Sequence, residues 1–186
     1  GGRFDAPPVT VAEPVGTATL SFDTCTSGRL TYAFADGSGR TGTVELTRLT
    51  QNVTCSTTAA RPLDADFALS GNWFAPPTSG QGLTIEVNPL SAVVFAAWYT
   101  YAPAGTGLGA AGQRWCTAQS STFVRGSRSI PVTLYETTGG VFDAPSAPLP
   151  ATVPVGTGTS AFPDCASATL DYNFTAGSIG SRAGRI

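Results

Sequence analysis

The sequence predicts an all-β protein built from antiparallel, β-sandwich-like repeat units. Its 186 residues include 22 glycines and 14 prolines, and only 12% of them are charged. Threonine, valine and aromatic residues occur in nearly every segment, which suits short strands joined by tight turns. Alternating polarity and an internal repeat, described next, point to the same fold class.

The first three strands are predicted by apolar and polar residues that alternate with a period of two. They are expected at residues 17–22, 29–34 and 43–49. Asp36-Gly37-Ser38-Gly39 has the composition of a turn between the second and third.

Four further strands are predicted in the second part of the chain, at residues 83–87, 93–101, 113–119 and 130–136. Asn88-Pro89 and the glycine-rich stretch 104–112 separate them. This pattern is typical of antiparallel meanders packed as sandwiches.

An internal repeat organises the chain. Gly1-Gly2-Arg3-Phe4-Asp5-Ala6-Pro7 recurs as Gly139-Gly140-Val141-Phe142-Asp143-Ala144-Pro145, an offset of 138 that becomes 140 further on. We therefore assign residues 1–60 to the C-terminal part of one repeat copy. Residues 61–69 are expected to be a linker, and residues 70–186 a second copy that lacks its last strand.

Composition argues against several classes of function. The net charge is −2, all ten cations are arginines, and no basic cluster suggests a nucleic-acid partner. No apolar run is long enough to span a bilayer. The chain has no histidine and no closely spaced cysteine pair, so we expect no metal and no cofactor. Four cysteines in such a chain favour an oxidising compartment, and we expect a secreted or cell-surface protein.

Catalysis is not expected. The absence of histidine removes the usual Ser-His-Asp and Cys-His nucleophile pairs. A glycosidase needs only two carboxylates, for which Glu86 and Glu136 are the candidates. We interpret both instead as outward-facing strand residues, partners for Arg114 or Arg128.

Several motifs together resemble a known repeat. They are Gly71-Asn72-Trp73-Phe74, Ser79-Gly80-Gln81-Gly82, Ala97-Trp98-Tyr99-Thr100-Tyr101, Gln113-Arg114-Trp115 and the segment 133–142. This unit is similar to an uncharacterised tandem β-repeat family of secreted or surface proteins of Gram-negative bacteria. The resemblance covers most of the chain and implies a β-rich extracellular module closed by a cysteine pair, with no catalytic residues to transfer.

The cysteine pairing follows partly from that resemblance. The family-like unit closes with Cys25 and Cys55, and a disulfide between them also suits a secreted framework. Cys165 corresponds to Cys25 by the repeat but has no Cys55 equivalent. It pairs with Cys116, which is the simpler arrangement, or it stays free or forms an intermolecular bond.

The aromatic residues have two possible roles. Exposed rings could stack on sugars, whereas alternating rings on strands usually form a core. We expect Trp98 and Trp115 to lie in the core. Trp73, surrounded by proline and glycine, is the candidate for ligand stacking.

The leading functional hypothesis is a structural subunit of an extracellular filament or surface fibre. Two incomplete repeats would each leave apolar surface and an unpaired edge, and copies of the chain could complete one another head to tail by strand complementation. The alternative is a carbohydrate-binding or adhesive module whose partner is a surface glycan. The residues expected at subunit contacts are Arg3, Phe4, Val9, Val11, Ile179 and Ile186.

Overall fold

A computed structural model of the chain describes residues 4, 11–53, 64–78, 80–103, 112–142, 144 and 147–186. Within these ranges the regular structure consists of eleven strands and two three-residue 3-10 turns. All strand pairs are antiparallel. The prediction of an all-β antiparallel fold is confirmed.

The first sheet has three strands in chain order: β1 (Gly16–Phe22), β2 (Ser27–Phe34) and β3 (Thr41–Thr47). They start one or two residues earlier than the alternation predicted, and β3 also ends two residues earlier. The predicted turn joins β2 to β3, where the Asp36 carboxylate accepts a hydrogen bond from the amide of Ser38 at 2.9 Å. Gly37 and Gly39 there have positive φ, which glycine adopts without steric cost.

The second sheet has eight strands, and each one pairs with its neighbours in the chain. The sheet curls into a half-barrel, so its core lies inside one curved sheet rather than between two flat ones. Its strands are β4 (Gly71–Trp73), β5 (Gly82–Asn88), β6 (Val93–Tyr101), β7 (Gln113–Gln119), β8 (Ser129–Thr138), β9 (Ala151–Ala161), β10 (Thr169–Phe174) and β11 (Arg182–Arg185).

The predicted domain boundaries stay predictions. Strand β11, at the place of the strand expected to be missing from the second copy, is four residues long where its counterpart β3 has seven. The described end of the expected linker, residues 64–69, is firmly packed. Leu69 is fully buried, and the carboxylate of Asp66 accepts hydrogen bonds from the amide of Gly126 and the guanidinium of Arg128.

The concave side of the half-barrel holds the hydrophobic core. Trp98 lies at its centre, with its ring centroid 5.4 Å from that of Tyr172 and 5.6 Å from that of Phe174. Phe4, from the first repeat copy, inserts its ring into this cluster and is 2% exposed. The first described residue of the chain therefore packs against the side chains of β10, near the end of the chain.

Polar contacts connect the segment after β3 to the half-barrel. The Glu86 carboxylate on β5 accepts hydrogen bonds from the hydroxyl of Thr50, at 2.7 and 2.8 Å, and from Arg48 at 3.3 Å. The side-chain amide of Asn88 donates to the carbonyl of Gln51 at 2.8 Å. The Glu86 carboxylate, which the sequence analysis predicted to face outward, therefore has hydrogen-bond partners in the segment after β3.

Candidate assembly surface

The three-stranded sheet has one apolar face. Its strands alternate in polarity, and the register sets Leu20 opposite Leu30 and Leu30 opposite Val44, so the apolar side chains collect on one side. We call this side the apolar face. It is formed by Ala18, Leu20, Phe22, Leu30, Tyr32, Phe34, Val44 and Leu46.

The opposite face of the same sheet is polar and rich in threonine. Thr31 and Thr43 are directly paired across β2 and β3, and their hydroxyl oxygens lie 3.2 Å apart in a hydrogen bond. Thr17 and Thr19 extend this polar side along β1 and are exposed. An antiparallel sheet with one apolar and one hydroxyl-bearing side typically packs its apolar side against other protein and leaves the polar side in water.

The second repeat copy shows what such a face looks like when covered. Strands β9, β10 and β11 correspond to β1, β2 and β3, with Phe162 in the place of Phe22 and Val155 in the place of Val15. Phe162 is 0% exposed and Val155 2%, whereas Phe22 is 74% exposed and Val15 54%.

The cover in the second copy comes from the first half of the half-barrel. Trp73 at the end of β4 packs on Phe162, with ring centroids 6.0 Å apart, and Trp98 on β6 packs on Tyr172 and Phe174. Within the described residues, β1–β3 have no comparable block over them. This missing block is the physical reason for the exposed phenylalanine.

One ring does lie on the apolar face. Phe142 packs against Tyr32 and Phe34 at centroid distances of 5.6 and 5.9 Å, and the guanidinium of Arg40 lies 5.9 Å from its centre. Together with Val15 and Leu30, among others, these rings line an apolar groove of about 330 Å³. Phe142 is itself 59% exposed, so it covers the face only in part.

The residues predicted at subunit contacts have different surroundings. Phe4 and Ile179 are buried in the core of the half-barrel and are enclosed by their own chain, whereas Ile186 packs against that core and is partly buried. Val11 is exposed, and its role in assembly stays a prediction. Arg3 and Val9 lie outside the described residues. Leu20 and Phe22, which the sequence analysis did not name as contact residues, are instead the exposed apolar side chains of this surface.

The cysteines follow the predicted pairing only in part. Cys25 is disulfide-bonded, and its expected partner Cys55 lies outside the described residues, so that pairing stays a prediction. Cys116 and Cys165 are both free thiols, and the predicted bond between them is not formed. The reason is location, because Cys116 points into the core beside Trp98 whereas Cys165 is exposed in the loop after β9.

Two tryptophans are placed differently from the expectation. Trp73, the predicted stacking residue, is half-buried, and its indole N–H donates to the carbonyl of Leu69 at 3.3 Å. Trp98 is in the core as predicted, but Trp115 is not. It lies on the outer side of β7 directly opposite Tyr99, and both rings are about half exposed.

The half-barrel is open between its two end strands. Between β4 and the strands β10 and β11 lies a mostly apolar cavity of about 290 Å³, bordered by Trp73, Phe162, Leu170 and Ile186. The first and last strands of the sheet do not pair with each other, so the sheet does not close.

The two candidate carboxylates serve as hydrogen-bond acceptors for nearby side chains and backbone. Glu86 is held by Arg48, Thr50 and Asn88. Glu136 accepts bonds from the amide of Ser178, at 3.0 and 3.1 Å, and from its hydroxyl. Arg128, one of the two predicted partners, binds Asp66 instead, and the predicted pairing with Arg114 stays a prediction.

No group of three or more acidic, cysteine or histidine side chains in the described part of the chain is arranged to hold a metal ion. The same residues include no helix with the length and hydropathy of a membrane span. Comparisons with protein-family models, with curated proteins and with solved structures found no match to this chain.

Proposed function

We propose that this protein is a structural subunit of an extracellular filament or surface fibre, assembled head to tail through complementary parts of its repeat. The uncovered apolar face of β1–β3 carries the proposal. Its equivalent in the second copy is buried, and an apolar surface of this kind in a secreted protein calls for a partner.

The partner that fits this face is the β4–β8 block of another copy. That block already covers β9–β11, which have the same sequence pattern as β1–β3, so the same surface suits both sheets. If β4–β8 of one copy covers β1–β3 of the next, its own β9–β11 become available to a third copy. Because the two contacting surfaces differ, the contact is heterologous, and it continues along a line when the rotation between copies does not close into a ring.

Covering β1–β3 is favoured by the hydrophobic effect, and uncovering β9–β11 of the donating copy costs a similar amount, so the exchange is close to balanced until strand edges also pair. Burying the exposed parts of Leu20 and Phe22 would contribute on the order of 1–2 kcal/mol each. The backbone edges of β1 and β3 also offer unpaired hydrogen-bonding groups to a neighbouring strand. An extracellular setting is part of the proposal, and the disulfide at Cys25 supports it because such bonds persist in oxidising compartments.

The test compares the wild-type chain with two arginine variants of β1. Phe22→Arg places a charge on the apolar face, whereas Thr19→Arg places the same charge on the polar side of the same strand. After incubation a few degrees below the unfolding temperature, which allows exchange, sedimentation velocity and electron microscopy report the species present. We expect chains of subunits for the wild type and Thr19→Arg, and monomers for Phe22→Arg.

A wild-type chain that stays monomeric at every concentration, with no fibres in the microscope, contradicts the proposal. Equal assembly by Phe22→Arg and wild type would also contradict it, because the apolar face would then play no part.

A second candidate function, carbohydrate binding, is supported by the Tyr99–Trp115 pair. The two exposed rings lie side by side, and with Tyr101, Gln113 and Arg114 they border a shallow groove of about 250 Å³. Flat aromatic surface beside hydrogen-bonding side chains suits a sugar ring. A glycan array would test this function. Trp115→Ala should remove any signal, and Val124→Ala, which removes an exposed apolar residue from another loop, should leave it unchanged.

A further inference from the structure

Two phenylalanines at repeat-equivalent positions occupy equivalent sites. Phe4 and Phe142 both belong to the recurring Gly-Gly-X-Phe-Asp-Ala-Pro segment, 138 residues apart. Each ring packs on the tyrosine and phenylalanine of a Tyr-X-Phe strand. Each also lies next to an arginine at the start of the following strand: Arg182 is the first residue of β11, and Arg40 directly precedes β3.

The receiving site in the half-barrel is formed by Tyr172, Phe174 and Arg182. The ring of Phe4 lies 5.6 and 6.1 Å from the first two rings, and the guanidinium lies 5.8 Å from its centre. Phe4 is also held through its backbone: its amide donates to the carbonyl of Ala102 at 3.3 Å, and its carbonyl accepts from the side chain of Gln81 at 2.8 Å.

The receiving site in the three-stranded sheet is formed by Tyr32, Phe34 and Arg40, the repeat counterparts of those residues. Phe142 occupies it at closely similar distances, between 5.6 and 5.9 Å. Phe142 has no tryptophan above it, and this explains why it is half exposed while Phe4 is enclosed.

The phenylalanines are exchanged between the copies. Phe4 belongs to the first copy and docks on the second, whereas Phe142 belongs to the second copy and docks on the first. At both places where the site occurs, its phenylalanine comes from the other repeat copy. The site therefore recognises the phenylalanine itself and does not require that it come from the same copy.

We infer that the phenylalanine of the Gly-Gly-X-Phe-Asp-Ala-Pro segment is an exchangeable plug, which a second copy of this chain can supply to the Tyr-X-Phe and arginine site. The inference deepens the proposed assembly, on which it rests for its biological setting. It names the segment that one subunit inserts into the next.

The experiment uses the full chain with Phe4→Ala, which empties the half-barrel site, and three peptides. One has the sequence of residues 1–7, one has that of residues 139–145, and the control is the first peptide with Phe4→Ala. Calorimetric titration and the melting temperature report binding. Both phenylalanine peptides should bind at least about tenfold more tightly than the control, equivalent to about 1.4 kcal/mol, and should raise the melting temperature.

Equal affinity of all three peptides for the folded variant would overturn the inference. If Phe4→Ala does not fold, Phe142→Ala replaces it, because the half-exposed Phe142 contributes less to the core. The same tenfold preference is then expected at the three-stranded sheet, and its absence is equally decisive.

The outcomes separate the two proposals. Peptide binding by a chain that never forms fibres would support the plug and reject the filament. Fibres formed by a chain that ignores the peptides would support the filament and reject the plug.

Discussion

Asp66 is the one buried charged residue in the part of the chain that the structure describes. Its carboxylate accepts hydrogen bonds from the amide of Gly126 at 3.1 Å to each oxygen and from Arg128 at 3.2 Å, and Arg125 lies 3.6 Å away. A buried carboxylate is tolerated only when such donors replace the water it has lost. Asp66 thereby ties the start of the half-barrel to the loop before β8.

Asp66→Ala should lower the free energy of unfolding by about 2–3 kcal/mol, because it removes the charged hydrogen bonds that the buried carboxylate accepts from the amide of Gly126 and from Arg128. Urea unfolding followed by circular dichroism measures the change. Asp23→Ala removes the exposed ion pair with Arg29 and should cost less than about 1 kcal/mol. Equal costs for the two variants would contradict the structural role of Asp66.

The two free thiols should differ sharply in reactivity. Burial, with a smaller contribution from the charge of Glu136, raises the pKa of the Cys116 thiol to about 12, so it is protonated and shielded at neutral pH. Cys165 is exposed. Mass spectrometry after treatment with a maleimide should find Cys165 modified in the native protein and Cys116 modified only after unfolding. Labelling of Cys116 under native conditions would show that it is not enclosed.

At the scale of single elements, much of the fold could be predicted from sequence. The limits of β6 and β7 match the predicted strands 93–101 and 113–119 residue for residue, and both strands have one face in the core. The orientation of Trp115 could not be predicted, since alternation fixes which residues share a face but not which face is inside. Only the register, which sets Trp115 opposite Tyr99 and Cys116 opposite Trp98, decides that.

Gly156 on β9 shows how closely some strands approach. A Cβ atom added there would lie 2.4 Å from the carbonyl oxygen of Asn173 on β10, and its repeat counterpart Gly16 has the same crowding. Gly156→Ala should therefore destabilise the protein by about 1–3 kcal/mol. Gly140→Ala, where nothing lies within 4 Å of the added atom, is the control and should be close to neutral in thermal unfolding.

At the scale of the whole molecule, the two sheets differ in how well they are enclosed. The half-barrel surrounds a continuous core, whereas β1–β3 keep one apolar face in contact with solvent. The repeat alone predicted that residues 1–60 correspond to the C-terminal part of a repeat unit. It could not indicate that Phe4 crosses into the second copy, because that contact joins residues about 170 positions apart and leaves no local pattern.

This difference should be visible in hydrogen exchange. Amides of β1–β3 should exchange on the order of tenfold or more faster than those of β6, β8 and β9 in the monomer, because a three-stranded sheet that the described residues cover only in part opens more easily. Exchange followed by mass spectrometry measures both. Uniform protection across the two sheets would mean that β1–β3 are stabilised by something other than the contacts described above.

The pairing of every strand with its chain neighbours has a consequence for how the half-barrel folds. Most of its contacts can form hairpin by hairpin, with little loop entropy to overcome, and such local topologies generally fold quickly. Phe4 is the exception, since its receiving site exists only once β10 and β11 are in place. We therefore expect Phe4 to insert after β10 and β11 have paired, and until then the core around Trp98 lacks the Phe4 ring.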